Sequence, residues 1–270
     1  MTFYQKLENA WSSRHSLVCV GLDPDLERIP EFLREREHPI FAFNRQIIDA
    51  TADLVCAFKP QMAYYSGQDA EDQLAMTLRY LRERYAEIPV ILDAKRGDIG
   101  STARMYAREA YDRYGADAVT VNPYLGGDTL EPFLERSDKG VVVLCRTSNP
   151  GAGDIQDLVC GGEKVYAIIA RKAVREWNGN GNVVLVVGAT YPEQLKEVRN
   201  IVGEMPLLVP GVGAQGGEVE AVVKAGLSRA GAGMIVNASR SIIFASGDEN
   251  FAEASRAATV SLRDSINACR

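Results

Sequence analysis

The 270-residue chain lacks the residues and patterns that mark several common classes of protein. Its two histidines, His15 and His38, are too few for a histidine-rich metal site. The formal net charge is −6 and no block of lysine or arginine occurs, which argues against nucleic-acid binding. No apolar run approaches membrane-span length, and the N-terminus has no apolar signal core. The composition therefore excludes these classes and predicts no membrane partner.

The five cysteines are widely spaced and include no CxxC pair. An odd, scattered set is typical of a protein from a reducing compartment, where buried thiols act as small apolar side chains. We therefore expect a cytoplasmic protein. Because the chain is acidic overall, an anionic substrate would need a local cationic pocket.

Eight short apolar runs rich in Val, Ile and Leu are bounded by Gly, Pro, Asp or Asn. They cover residues 16–23, 56–62, 89–95, 118–123, 140–147, 183–189, 207–213 and 233–239. Near-continuous apolar runs are typical of parallel strands covered on both faces, and helical periodicity separates them. This alternation predicts an α/β fold, a single (β/α)8 TIM-barrel domain over residues 1–270. The alternative that the pattern leaves open is an open doubly wound sheet.

The two ends of the chain also have helical periodicity. Phe3, Leu7 and Trp11 recur at four-residue intervals and predict a short helix that closes the bottom of the barrel. Apolar residues between Phe251 and Ile266 predict a final helix.

Polar residues follow the predicted strands at their carboxyl ends, where barrels assemble their active sites. In the segment DAKRGDI, the two-residue side-chain period places Asp93 and Lys95 on one face of the third strand, and Asp98 follows it. With Lys59 from the second run, these residues predict a row of alternating charges. A lysine between carboxylates keeps its proton, so Lys95 is predicted to be a general acid instead of a Schiff-base nucleophile. The alternative is a structural ion-pair cluster in which Asp98 caps a helix, with Ser101 or Thr102 as competing caps.

The segment GVGAQGG (211–217) has the spacing GxGxxG, but it lies in the seventh strand unit and no acidic residue ends the next strand. Both facts disfavour a dinucleotide site. With NASR (237–240) it favours a phosphate site between the last two strand loops, where Arg240 would supply a permanent charge. The alternative is that the glycines only form turns and that Arg240 lies on the surface. The connection 145–158 is interpreted either as a lid over a ligand or as an ordinary surface loop.

Seven segments together resemble the orotidine 5′-phosphate decarboxylase family, in particular its longer bacterial (type 2) branch. They are GLDPD (21–25), FKPQ (58–61), DAKRGDIGST (93–102), TSNPG (147–151), VVGAT (186–190), GVGAQGG (211–217) and NASR (237–240). The D-x-K-x-x-D element identifies a superfamily, whereas Lys59 and the Gln/Arg phosphate loops make the resemblance specific. The resemblance implies cofactor-free decarboxylation of orotidine 5′-phosphate to UMP in de novo pyrimidine synthesis, by a homodimer.

The resemblance also implies roles for individual residues. Lys95 would protonate C6 of the pyrimidine, with Asp93 against the departing carboxylate and Lys59 as its neighbouring cation. Asp98 and Thr102 would reach the ribose of the neighbouring subunit's substrate. The remaining expected substrate contacts are Asp23 and Lys59 at the ribose 3′-hydroxyl, Ser148 at the pyrimidine edge, Gln215 and Arg240 at the phosphate, and Ser239 beside Arg240.

Two alternative functions remain at this stage. One is a magnesium-dependent decarboxylase or aldolase of the same superfamily acting on a ketose phosphate. Those relatives carry an acidic residue where Lys59 stands, and a lysine there replaces a metal ligand with a cation. The other is a catalytically inactive barrel that binds nucleotides, which the presence of Lys59, Asp93 and Lys95 disfavours. We accordingly expect no metal and no cofactor.

Overall fold

Eight parallel strands form the centre of the fold, in a computed structural model that describes residues 1–212 and 216–270. The strands are β1 (Val18–Leu22), β2 (Ala57–Pro60), β3 (Ile91–Arg96), β4 (Ala118–Val121), β5 (Gly140–Arg146), β6 (Val183–Val187), β7 (Leu207–Pro210) and β8 (Met234–Ala238). Each overlaps one of the predicted apolar runs, so the prediction of eight strand units is confirmed.

The strands pair in the order β2-β1-β8-β7-β6-β5-β4-β3. The two end strands meet through bridges that join Phe58 to Val90 and Gln61 to Asp93. In addition, the Phe58 amide donates to the carbonyl of Pro89 at 3.1 Å. The sheet therefore closes into the predicted barrel, and the alternative of an open doubly wound sheet is wrong.

The strands are apolar because the barrel interior covers one face and the surrounding helices cover the other. Every residue of β1, β6 and β8 is buried. Burying a large apolar side chain contributes roughly 1.5–3 kcal/mol, whereas burying an unpaired charge is costly. Lys59, Asp93 and Arg146 are nevertheless buried in their strands, so each needs a partner there.

Helices follow the strands and surround the barrel. Their bounds are α1 (Phe3–Arg14), α2 (Glu31–Arg34), α3 (Pro39–Thr51), α4 (Ala63–Ser66), α5 (Glu71–Arg84), α6 (Gly100–Arg108), α7 (Glu131–Leu134), α8 (Gly153–Gln156), α9 (Val165–Lys172), α10 (Pro192–Val202), α11 (Gly216–Gly226), α12 (Arg240–Ile243) and α13 (Phe251–Asn267). The predicted final helix corresponds to α13.

The first helix closes the amino-terminal end of the barrel, as predicted. Phe3, Leu7 and Trp11 are buried, and a capping box of Thr2 and Gln5 starts the helix. A Cβ atom on Gly140 would lie 2.4 Å from the Phe3 ring, so only glycine at the start of β5 leaves room for it.

Some elements were not predicted. The two-residue strands Val159–Cys160 and Glu163–Lys164 form an antiparallel hairpin after α8. Helices α6 and α9 each continue into a π-helical turn, at Glu109–Arg113 and Ala173–Trp177. Within the described ranges, no helix combines the length and apolar character that crossing a membrane requires.

Candidate active site

A cavity of about 460 Å³ opens at the carboxyl ends of the strands. Residues of the second to seventh strands and of the connection after β5 form its wall. The lining residues are Lys59, Asp93, Lys95, Thr120, Leu144, Thr147, Ser148, Asn149, Gln156, Val186, Leu208 and Pro210. Three predicted site residues on strands, Lys59, Asp93 and Lys95, thus meet Ser148 of the connection after β5 at one cavity, which is charged on one side and apolar on the other.

Three of these residues form two ion pairs that share the carboxylate of Asp93. The ammonium nitrogen of Lys59 lies 2.9 Å from Asp93 Oδ2, and that of Lys95 lies 2.7 Å from Asp93 Oδ1. The side chains of Lys59 and Asp93 are 5% and 10% exposed, whereas that of Lys95 is 46% exposed. Only Lys95 therefore offers its ammonium group to the open part of the cavity.

Neutral side chains complete the shell of Asp93. The amide nitrogen of Gln61 donates to Asp93 Oδ2 at 3.1 Å, and the hydroxyl of Thr120 donates to Asp93 Oδ1 at 2.8 Å. Each carboxylate oxygen therefore accepts two hydrogen bonds, one from an ammonium group and one from a neutral donor. Four such bonds stabilise the ionised carboxylate against its burial.

The electrostatics of the cluster follow from this geometry. Burial alone would raise the pKa of Asp93, but Lys59 and Lys95 outweigh it and lower that pKa to about 2. Burial alone would lower the pKa of Lys59, but the carboxylates of Asp93 and Asp23 outweigh it and raise that pKa. Asp93 is therefore an anion and Lys59 a cation at neutral pH.

Lys95 lies where the third strand departs from regular geometry. The register between β3 and β4 shifts between Leu92 and Arg96, and Lys95 has a φ angle of 47°. A lysine in this left-handed region is strained by roughly 1–2 kcal/mol. Asp93 and Lys95 still face the same cavity, so the prediction that they share one face is confirmed although the strand is irregular.

Asp98 does not extend the row of charges within this chain. Its Oδ1 accepts a hydrogen bond from the Ile99 amide at 2.7 Å. Among the residues that the structure describes, no cationic nitrogen lies within 4 Å of its carboxylate, so Lys95 is not held between two aspartates of the same chain. The capping alternative is also wrong: Ile99 is the N-cap of α6, and Ser101 and Thr102 lie inside the helix.

Asp23 and Ser239 meet at the ends of β1 and β8. The Ser239 hydroxyl donates a hydrogen bond to Asp23 Oδ2. A Cβ atom on Gly21 would lie 2.6 Å from Ser239 Oγ, so glycine at that position permits the contact. Asp23 Oδ1 is buried and accepts no hydrogen bond in the described parts of the chain. One carboxylate oxygen thus remains available to a donor.

The other predicted binding residues are less closely associated with the cavity. Thr102 is exposed on α6, and Arg240 is exposed at the start of α12. Gly213 and Gln215 lie outside the described residues, so the structure describes only the residues on either side of this part of the predicted phosphate loop. Whether these residues bind substrate stays a prediction.

An ion pair between Arg146 and Asp157 fixes the connection after β5 to the end of that strand. It was not predicted from the sequence. Arg146 is buried, forms two hydrogen bonds with the carboxylate of Asp157 at 3.2 and 3.0 Å, and lies over the ring of Tyr191. Gln156 exchanges hydrogen bonds with Thr147, so both ends of the connection are tied together. An arginine ending the apolar run GVVVLCR was the available signal. The connection lines the cavity, which favours the lid interpretation over that of an ordinary loop.

Several known proteins are similar to this chain. The model of the orotidine 5′-phosphate decarboxylase / HUMPS family matches residues 16–255. Orotidine 5′-phosphate decarboxylase of Ralstonia pickettii (strain 12J) is 56% identical over 270 residues, which cover all of both chains. The same enzyme of Janthinobacterium sp. (strain Marseille) is 55% identical over 267 residues, covering 99% of this chain and 98% of that protein.

A solved structure agrees with this. The OMP decarboxylase of Leishmania donovani has a TM-score of 0.86 and 38% identity, covering 100% of this chain and 98% of that one. The match extends over the strands that carry Lys59, Asp93 and Lys95. This chain therefore belongs to the orotidine 5′-phosphate decarboxylase / HUMPS family.

Proposed function

We propose that this chain catalyses the decarboxylation of orotidine 5′-phosphate to UMP in de novo pyrimidine synthesis, without a cofactor. The observation that carries the proposal is the Lys59–Asp93–Lys95 cluster at the cavity of a barrel from this family. The reaction develops negative charge on C6, so it needs an exposed ammonium group, and a fixed carboxylate holds that group in place.

The reaction breaks the bond between C6 and the carboxylate carbon, and the bonding electrons stay on C6. The resulting anion occupies an orbital in the plane of the ring, so the ring cannot delocalise it. The ammonium group of Lys95 stabilises this charge and then transfers a proton to C6, after which Lys95 regains a proton from solvent. The 46% exposure of its side chain gives Lys95 access to both substrate and water.

Asp93 and Lys59 prepare this step. The lowered pKa of Asp93 keeps an anion 2.7 Å from the Lys95 ammonium nitrogen. Lys59 balances the buried charge of Asp93 from the other side. The barrier reduction needed is about 20 kcal/mol, more than one ion pair supplies, so binding of the remote phosphate and ribose must also contribute.

Substrate binding is assigned to the rim of the barrel. Asp23 Oδ1, buried and without a donor in the described chain, suits a ribose hydroxyl. Ser148 lines the cavity and is assigned to the pyrimidine edge. Arg240 is assigned to the phosphate with Gln215, and Ser239 is assigned to the same rim through its bond to Asp23.

The active form proposed is a homodimer in which Asp98 and Thr102 reach the neighbouring subunit's site. The support is the exposure of large apolar side chains in the segments that follow the neighbouring strands β3 and β4: Ile99, Met105 and Tyr124 are 61%, 58% and 78% exposed. Large exposed apolar side chains close together are typical of protein interfaces. Asp98 also lacks a cationic partner in its own described chain, which a neighbouring site would supply.

We propose that residues 1–270 work as one catalytic domain, because the eight barrel strands form one sheet and one buried apolar cluster contains residues of both the first and the last helices. The cytoplasmic location and membership of the longer bacterial branch of the family stay predictions.

The metal-dependent rival is disfavoured because Lys59 and Lys95 occupy the two oxygens of Asp93 that a divalent ion would need.

The test is to follow the ultraviolet absorbance of orotidine 5′-phosphate with purified protein, with and without EDTA. We expect equal turnover in both samples and UMP as the product. Loss of turnover on chelation would favour the metal-dependent rival. Binding of UMP without any turnover would favour the inactive nucleotide-binding barrel.

A further inference from the structure

Thr120 links the backbone amide of Lys95 to the carboxylate of Asp93. Its side-chain oxygen accepts a hydrogen bond from the Lys95 amide at 2.8 Å and donates one to Asp93 Oδ1, also at 2.8 Å. A hydroxyl has a single proton. Because the Lys95 N–H supplies its own proton, that of Thr120 is directed at the carboxylate.

The first of these bonds replaces a missing strand contact. Between Leu92 and Arg96 the pairing of β3 with β4 is interrupted, and Asn122 N resumes it by donating to the Arg96 carbonyl at 2.8 Å. Lys95, inside the interruption, has the left-handed φ angle of 47°. Its amide would lack a ladder acceptor there, and the threonine oxygen supplies one.

The second bond closes a ring. Asp93 Oδ1 accepts from the Lys95 ammonium at 2.7 Å and also from Thr120. The backbone amide and the ammonium group of the same lysine are therefore both tied to one pair of side chains, Thr120 and Asp93. Thr120 is 1% exposed and lines the cavity, so water does not compete readily for its hydroxyl.

From this ring we propose that Thr120 is a positioning residue for the decarboxylation, which aims the Lys95 ammonium group at the reacting carbon. Its hydroxyl group stabilises the unfavourable backbone conformation of Lys95 through one hydrogen bond and orients the Asp93 carboxylate through the other. Small misplacements of a catalytic group reduce the rate strongly, whereas substrate binding depends on the ribose and phosphate contacts elsewhere. The inference rests on the proposed function.

The experiment compares Thr120→Val, Thr120→Ser and the unaltered protein in steady-state decarboxylation, with UMP affinity measured by calorimetry. Valine keeps the branched shape and loses the hydroxyl, whereas serine keeps the hydroxyl. We expect Thr120→Val to lower kcat about 10- to 100-fold, the loss typical of a hydrogen bond to a charged group, with KM and UMP affinity within about twofold. Thr120→Ser should stay within about threefold of the unaltered protein in kcat. Thr259→Val, which removes a buried hydroxyl from α13 on the outside of the barrel, is the matched control.

An unchanged kcat in Thr120→Val would overturn the inference, as would a loss confined to KM or an equal loss in the serine variant. If the valine variant does not fold, Thr120→Ala replaces it under the same criteria. The unaltered protein separates the two proposals: no turnover by it refutes the proposed function, whereas turnover that Thr120→Val leaves intact refutes only the role of Thr120.

Discussion

Lys59 and Lys95 bind opposite oxygens of a single carboxylate, that of Asp93, at 2.9 and 2.7 Å. Their surroundings differ, because the Lys59 side chain is 5% exposed and the Lys95 side chain 46% exposed. The buried lysine fixes the charge and position of Asp93, and the exposed one can meet a substrate. The two lysines therefore have different roles in the site.

Removing the exposed ammonium group should remove catalysis and leave binding. For Lys95→Ala we expect kcat to fall at least about 10⁴-fold, because both the electrostatic stabilisation and the proton donor are lost. Turnover is followed by the absorbance of orotidine 5′-phosphate and UMP affinity by calorimetry. Lys196→Ala, an exposed lysine on α10, is the control. Comparable turnover by Lys95→Ala would refute the acid assignment.

The shared-site proposal predicts complementation between two inactive variants. In a mixed dimer of Asp98→Ala and Lys95→Ala, one of the two sites contains both intact residues. Random exchange should then restore roughly a quarter of the unaltered activity, because half of the dimers are mixed. Subunit exchange is verified by co-purification of differently tagged chains. Proven exchange without recovery would refute the shared site.

Asp93 should make stability depend on pH in acid. Its pKa is about 2 in the folded protein, against an ordinary value of 3.8, so the folded chain binds fewer protons between these values. The resulting stabilisation is present above about pH 4 and lost as the pH falls towards 2.

The measurement is urea unfolding of the unaltered protein and of Asp93→Asn between pH 5 and pH 2. The difference in free energy of unfolding between them should change by about 2 kcal/mol over this range. Asp154→Asn removes an exposed carboxylate and corrects for the change in net charge. A difference that is constant with pH would contradict the role of the two lysines.

Loosening the connection after β5 should weaken substrate binding more than chemistry. Asp157→Asn deprives the buried Arg146 of its carboxylate partner, so Thr147 and Ser148 lose the support that keeps them at the cavity. We expect KM to rise about tenfold with kcat within about threefold, measured by steady-state kinetics. Asp154→Asn, in the short helix that immediately precedes Asp157, is the control. A fall in kcat at unchanged KM would show that the ion pair acts on the chemical step instead.

Much of the barrel and part of its site could be read from local patterns. Eight apolar runs at regular spacing indicated eight covered strands, and the charged residues that end two of them indicated the mouth of the barrel. The pairing of Lys59 with Asp93 was predictable because adjacent parallel strands bring their carboxyl ends together. The roles of Gln61, Thr120 and Arg146 were not, because the residue type at each position does not reveal which side chain it will contact in the folded protein.

The sequence alone determined which strands exist and which charged residues lie near the mouth, since burial periodicity and the cost of an unpaired charge act within a few residues. Three features emerge only when the chain is folded. The sheet closes, Lys95 adopts a left-handed backbone at a break in strand pairing, and Asp98 lacks a cation in its own described chain. These outcomes depend on contacts between segments far apart in the chain, which the side-chain pattern within one strand does not specify.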